Sequence, residues 1–124
     1  KLNNTLQYVN AGHNYPILAN SKETIFLNKG CIGLGMLDKI PKIKISKIKL
    51  YEDTILICYT DGLVELENSN GAAFETDNLI KVVENNLKLT MKEQVQKIFS
   101  KLEEFKGDQD LMDDTAVLSC KFII

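Results

Sequence analysis

Two periodicities divide the chain. Up to about residue 60 apolar positions recur in twos, and from Asp77 to Gly107 they recur at helical spacing. In Thr5–Asn10, Leu6, Tyr8 and Asn10 alternate with Gln7 and Val9, which predicts a β-strand. Ala11–Asn14 interrupts the pattern with turn residues and Tyr15–Ala19 resumes it, so the two segments predict a hairpin. Asn20–Lys22 predicts the next turn, Thr24–Leu27 a short strand, and Gly30, Gly33 and Gly35 a loop. Lys42–Leu50 alternates Lys with apolar residues. Ile43 and Ile45 share one face while Ile48 and Leu50 fall on the other, so a bulge is expected at Ser46-Lys47. Glu52-Asp53 predicts a turn, and the nearly continuous apolar run Thr54–Tyr59 a central strand.

The period then lengthens. Leu79, Ile80, Val83 and Leu87 form one stripe, which predicts a helix over about Asp77–Leu87. Thr90 and Glu93 have the spacing of a capping box, so a second helix should start at Thr90 and end near Gly107. Its stripe would be Met91, Val95, Ile98, Phe99 and Leu102. An acidic loop, Asp108–Asp114, leads into a last strand over about Thr115–Ile123. Strands, then two helices, then a strand predict an α+β fold, and 124 residues fit a single domain over 1–124.

Composition narrows the chemistry. Hydrophobic residues make up 44% of the chain, enough for a packed core. The net charge of −2 argues against nucleic acid as a partner, since that partner needs a clustered positive surface. All 15 basic residues are Lys, so no guanidinium fork serves phosphate recognition. Phosphate would have to be met by metal, backbone N–H groups or Lys. No apolar run is long enough to span a bilayer, so no membrane contact is expected from this segment. Nothing at Lys1–Asn4 reads as a signal peptide. Cys31, Cys58 and Cys120 form no close-spaced pair, which disfavours a zinc site and a disulfide framework and makes a reducing cytoplasm the expected location. Cys58 and Cys120 lie in apolar runs and are expected in the core.

Few residues are candidates for chemistry. Asp61 follows a buried strand and precedes Gly62, whose backbone can turn sharply. It suits a metal ligand or a catalytic acid, and equally a turn aspartate. Asp113-Asp114 is a carboxylate pair that either binds a cation or lies in a solvated loop. The nearby Asp108-x-Asp110 fails as a calcium loop, because Met112 stands at the third ligand position. His13 is the single histidine, either a proton carrier or a backbone partner in a turn, and no nucleophile motif accompanies it. Gly30-x-x-Gly33-x-Gly35 lacks the Lys-Ser/Thr ending of a P-loop.

In order, Asn10-Ala11-Gly12-His13, Gly33-Leu34-Gly35, Tyr59-Thr60-Asp61-Gly62-Leu63-Val64-Glu65, Asn68 to Phe74 and Asp113-Asp114-Thr115-Ala116-Val117-Leu118 form a series. The series resembles the SpoIIE/RsbU-type serine/threonine phosphatases of the metal-dependent (PPM, type 2C-like) class. The resemblance covers nearly the whole chain, but only about the C-terminal half of the family's catalytic domain. It implies part of a β-sandwich flanked by helices, with two Mn²⁺ or Mg²⁺ ions and a metal-activated water that attacks phosphorus in line. It assigns Asp61 and Asp113 as ligands of one metal and Asp114 as an outer-shell partner or ligand of an extra ion. Gly62 would permit the turn, and Asn10, Gly12 and His13 would support the site. The implied substrate is a phosphorylated regulatory protein of the anti-anti-sigma type.

The family's upstream Gly-Gly-Asp segment, which carries the bridging aspartate, has no counterpart here. The chain therefore reads as truncated, and inactivity of the chain alone is one expectation. Exposed sheet edges should favour self-association. The alternative function is a non-catalytic interaction or regulatory module that binds through the Lys-rich face of Lys42–Lys49. If the parent protein is membrane-anchored, this segment would be its cytoplasmic domain.

Overall fold

The computed structural model describes residues 3–111 and 113–124. Lys1 and Leu2, ahead of the first expected strand, and Met112 in the acidic loop lie outside the described residues. The elements run β1 (Thr5–Tyr8), β2 (Asn10–Ala11), β3 (Ile17–Ala19), β4 (Thr24–Phe26), β5 (Gly30–Cys31), β6 (Ser46–Lys49) and β7 (Ile55–Tyr59). After these come α1 (Asp61–Val64), α2 (Glu75–Glu84), α3 (Met91–Lys106) and β8 (Val117–Lys121). The architecture is α+β, as the patterning predicts.

The centre is an antiparallel sheet in the order β4-β3-β7-β8. Strand β7 lies inside it because both of its faces are apolar. Ile55, Ile57 and Tyr59 point at the helices, where Leu63 of α1, Leu79 and Val83 of α2, and Ile98 and Leu102 of α3 complete one core. Leu56 faces the other way, toward a second cluster built on Leu18, Leu27 and Leu50. That cluster is roofed by the antiparallel pair β1-β6, through Leu6, Tyr8 and Ile48. Helices, sheet and strand pair thus form three layers with an apolar interface on each side of the sheet.

Two expectations are overturned here. Strand β1 does not form a hairpin with β3; it pairs with β6 in the register Leu6↔Ile48 and Tyr8↔Ser46. The reason is that Ile17, Leu18 and Ala19 are buried and already flanked, by β4 on one side and β7 on the other. No hydrogen-bonding edge of β3 is left for β1. Lys42–Ile45 is not a strand either, and the expected bulge at Ser46-Lys47 is where the strand begins. Ile43 and Ile45 find no facing strand and stay exposed.

The helices follow the pattern closely. Helix α2 begins two residues earlier and ends three earlier than predicted. Helix α3 has the full capping box: the Thr90 hydroxyl accepts from the Glu93 N–H, and the Glu93 carboxylate accepts from the Thr90 N–H. Its stripe differs in one member. Gln94, a polar residue, is fully buried beside Ile98 and Leu102. Its Oε1 accepts a 2.9 Å hydrogen bond from Ser119 Oγ on β8. Among the cysteines, Cys120 is exposed and Cys58 half-buried, which corrects their expected place in the core.

Candidate metal centre and the sheet end that carries it

One end of the central sheet gathers most of the candidate residues. Ile17 pairs with Ile57 and with Phe26, and Tyr59 pairs with Val117. The chain leaving β7 at Thr60 and β4 at Leu27 therefore meets the chain entering β3 through Pro16 and β8 through Ala116. Hydrogen bonds from Leu27 N to Pro16 O (2.8 Å) and from Thr60 N to Ala116 O (3.1 Å) extend the ladder past the strands. His13–Tyr15, Asn28-Lys29, Asp61 and Asp113-Asp114 accordingly share this end, on adjacent strands about 4.8 Å apart.

On the β7/β8 side, Asp61 is the first residue of α1. Thr60 occupies the cap position, but its hydroxyl makes no cap bond. It spans instead to the acidic loop, donating to Asp114 O (2.9 Å) and accepting from Ala116 N (2.9 Å). Gly62 completes the junction. A Cβ placed there would come within 2.6 Å of Asp114 O and 3.2 Å of the Asp113 carbonyl carbon. Its φ is not positive, so glycine is required for close approach and not, as expected, for a sharp turn. Sequence reasoning named Gly62 for a different reason and missed Thr60, whose partners lie 54 and 56 residues away.

The Asp61 and Asp113 carboxylates are each held by a neighbouring backbone N–H. Asp61 Oδ1 accepts from Gly62 N (3.1 Å), and Asp113 Oδ1 accepts from Asp114 N (2.7 Å). Each has a second oxygen beyond that bond. This donor set is all oxygen and anionic, which fits a hard divalent cation of the Mg²⁺ or Mn²⁺ kind and not a thiophilic one. It is an incomplete set: among the described residues no group of three or more His, Cys, Asp or Glu side chains is arranged to hold an ion. Asp114 contributes its backbone carbonyl to Thr60 and to the contact with Gly62.

On the β3/β4 side, the loop after β2 is clamped by Asn10. Its side-chain amide donates to His13 O (2.9 Å), and its Oδ1 accepts from His13 N (2.9 Å). Gly12 has φ +88°, and a Cβ there would lie 2.9 Å from Gly33 Cα. His13 Nδ1 lies 2.6 Å from Asn14 O. A carbonyl only accepts, so Nδ1 carries a proton and Nε2 is left as the ring's free atom.

Comparison with solved structures places this arrangement in context. The SiaA-PP2C domain of Pseudomonas aeruginosa matches 98% of the chain with a TM-score of 0.83 at 18% identity, and the chain covers 48% of that domain. The Mn-presoaked phosphatase domain of the cell fate determinant SpoIIE from Bacillus subtilis matches 97% with a TM-score of 0.66 at 13% identity, with 51% of it covered. The RsbU and RsbW domains of a Mycobacterium tuberculosis protein match 95% with a TM-score of 0.61 at 20% identity, with 32% covered. The chain thus spans about half the length, or less, of the solved structures it matches. These likenesses establish the phosphatase-domain fold. A comparison with curated proteins finds no match. The sequence signature of Stage II sporulation protein E (SpoIIE) matches residues 2–123, and the chain belongs to that family.

Proposed function

We propose that the chain forms, as one folding unit, the C-terminal part of a metal-dependent serine/threonine protein phosphatase domain. The observation that carries this reading is the contact of Gly62 with Asp113-Asp114, which sets two carboxylate-bearing segments side by side at one sheet end. Asp61 and Asp113 would hold one Mn²⁺ or Mg²⁺, with Asp114 as an outer partner or the ligand of a further ion. Divalent ions supply such a site with an activated water and with neutralisation of phosphate charge. Thr60 and Gly62 fix the distance between the two acidic segments. Asn10 and Gly12 hold the neighbouring loop and the backbone of His13. The substrate would be phosphoserine or phosphothreonine on a regulatory protein of the anti-anti-sigma type, in the cytoplasm. The three free cysteines support that compartment. No helix among the described residues is long and apolar enough to cross a membrane.

Calorimetric titration with Mn²⁺ tests the reading, with Asp61→Asn and Asp113→Asn measured alongside. Saturable binding that both substitutions abolish is expected. Undiminished affinity in either variant would remove that residue from the site.

A second reading, a non-catalytic interaction module, is favoured by the incomplete ligand set. It predicts partner binding that is independent of metal and lost on Lys→Glu changes along Lys42–Lys49.

A further inference from the structure

A cavity of about 570 Å³ opens on the β3/β4 side of the same sheet end. His13, Lys29 and Lys44 line it, together with Asn10, Asn14 and Asn28, and no carboxylate does. This is unusual in a chain whose net charge is −2. The cavity is assembled from segments far apart in sequence, and its floor is tightly fitted. Gly30 lies so close to Asn10 that a Cβ would fall 1.7 Å from Asn10 O. The Lys29 backbone is pinned at both ends: its N–H donates to the Tyr8 hydroxyl (3.3 Å) and its carbonyl accepts from Asn10 N (2.9 Å). Lys44 N donates to Gly30 O (3.0 Å), which brings the second lysine over the same floor. Among the described residues the ion pairs join Lys101, Lys106 and Lys121 to carboxylates, and neither Lys29 nor Lys44 is in one.

We infer that this cavity is an oxyanion subsite, in which Lys29 and Lys44, beside the His13 ring, receive a phosphate or carboxylate group of an acidic protein segment. Two ammonium groups present donors, and no carboxylate lines the cavity to repel an anion. Lacking Arg, the chain meets the oxyanion with point charges and not with a planar fork. The position gives the subsite its use. β3 and β7 are neighbours, so the loops that line the cavity lie beside the segment that leaves β7 toward Asp61. A substrate whose phosphorylated residue met the acidic pair would lay its flanking chain across the cationic cavity. That use rests on the phosphatase reading; the anion binding does not.

The test is made without metal, so it stands apart from the Mn²⁺ titration. His13 is the single histidine, and its imidazole proton resonances report on the cavity unambiguously. Inorganic phosphate is titrated against chloride at equal ionic strength and fixed pH, which holds general screening constant. A saturable shift of the His13 resonances is expected. In the double variant Lys29→Gln/Lys44→Gln the midpoint should rise by roughly tenfold or more. The amide spectrum of that variant, otherwise unchanged, shows that it folds. Two peptides then separate the sources. An Asp/Glu-rich unphosphorylated peptide that produces the same shift identifies carboxylates as ligands. A response to phosphate and to a phosphopeptide, but not to the acidic peptide, identifies the phosphate group. A linear, unsaturated response to phosphate, or the same midpoint in the double variant, overturns the subsite.

Discussion

Gly62 has no room for a methyl group, and what it would strike is backbone. The Asp114 carbonyl cannot swing aside as a flexible side chain could, so Gly62→Ala must push the acidic loop away from α1. Overpacking of this kind costs about 1–3 kcal/mol, readable in urea unfolding. If Asp61 and Asp113 share an ion, Mn²⁺ affinity should fall as well, although no carboxylate has been touched. A variant as stable as the parent would show that the loop is free to yield. Thr60 offers the converse experiment. Thr60→Val keeps the shape and removes both bonds to Asp114 and Ala116, a loss of about 1–3 kcal/mol, whereas Thr60→Ser should retain most of the stability. A Val variant as stable as the parent would remove the hydroxyl from the account, and a loss confined to Ser would assign the effect to the methyl. Neither role was legible beforehand. In sequence Thr60 and Gly62 are a cap and a turn residue, and their partners are brought to them only when β7 and β8 pair.

At the scale of elements, legibility followed the range of the forces. The capping box of α3 is formed within four residues, and Thr90 and Glu93 announce it in full. Strand β7 is recognisable because burial on both faces leaves an unbroken apolar run. By contrast, the partner of β1 depends on which edges remain after β3 is flanked, and that is a property of the assembled sheet. Gln94 escaped notice for a related reason: a buried amide in a helix stripe makes sense only opposite Ser119 of another element. The proposed metal ligands and the cationic cavity differ in the same way. Asp61 and Asp113-Asp114 stand in recognisable strings, whereas Lys29 and Lys44 lie in none and converge through Gly30. The capping box also carries a pH dependence. The Thr90 hydroxyl, and then its backbone N–H, hold the Glu93 carboxyl below the ordinary glutamate range. A carboxyl depressed in the folded state stabilises above its unfolded-state titration, and that stabilisation is lost as pH falls through the folded-state value. Thr90→Ala should therefore lower stability near pH 7, and the gap to the parent should narrow on acidification below the glutamate range. A gap that stays constant with pH would mean that the Glu93 carboxylate is not part of the cap.

At the scale of the whole molecule, the sheet is covered unevenly. On the helix side Val117 packs into the core and Ser119 bonds to Gln94. On the other side the β1-β6 pair roofs Leu18, Leu27 and Leu50 and reaches Phe122. It does not reach the outward positions of β8, where Leu118 is 59% exposed and Cys120 is exposed beside it in the pleat. Strand β8 is also the last in its sheet, with one row of backbone groups unpaired by any other strand. An apolar face next to an open edge is the combination that favours pairing with another chain. A second copy of the chain offers the same edge, so the apparent mass should rise above 14.0 kDa as concentration increases in sedimentation velocity. Leu118→Lys places a charge on that exposed face without touching either core, and should return the sedimentation to that of a monomer with the unfolding transition unchanged. A parent that stays monomeric throughout the accessible concentration range would show that the twist and charge of β8, with Lys121 paired to Asp53, already protect the edge.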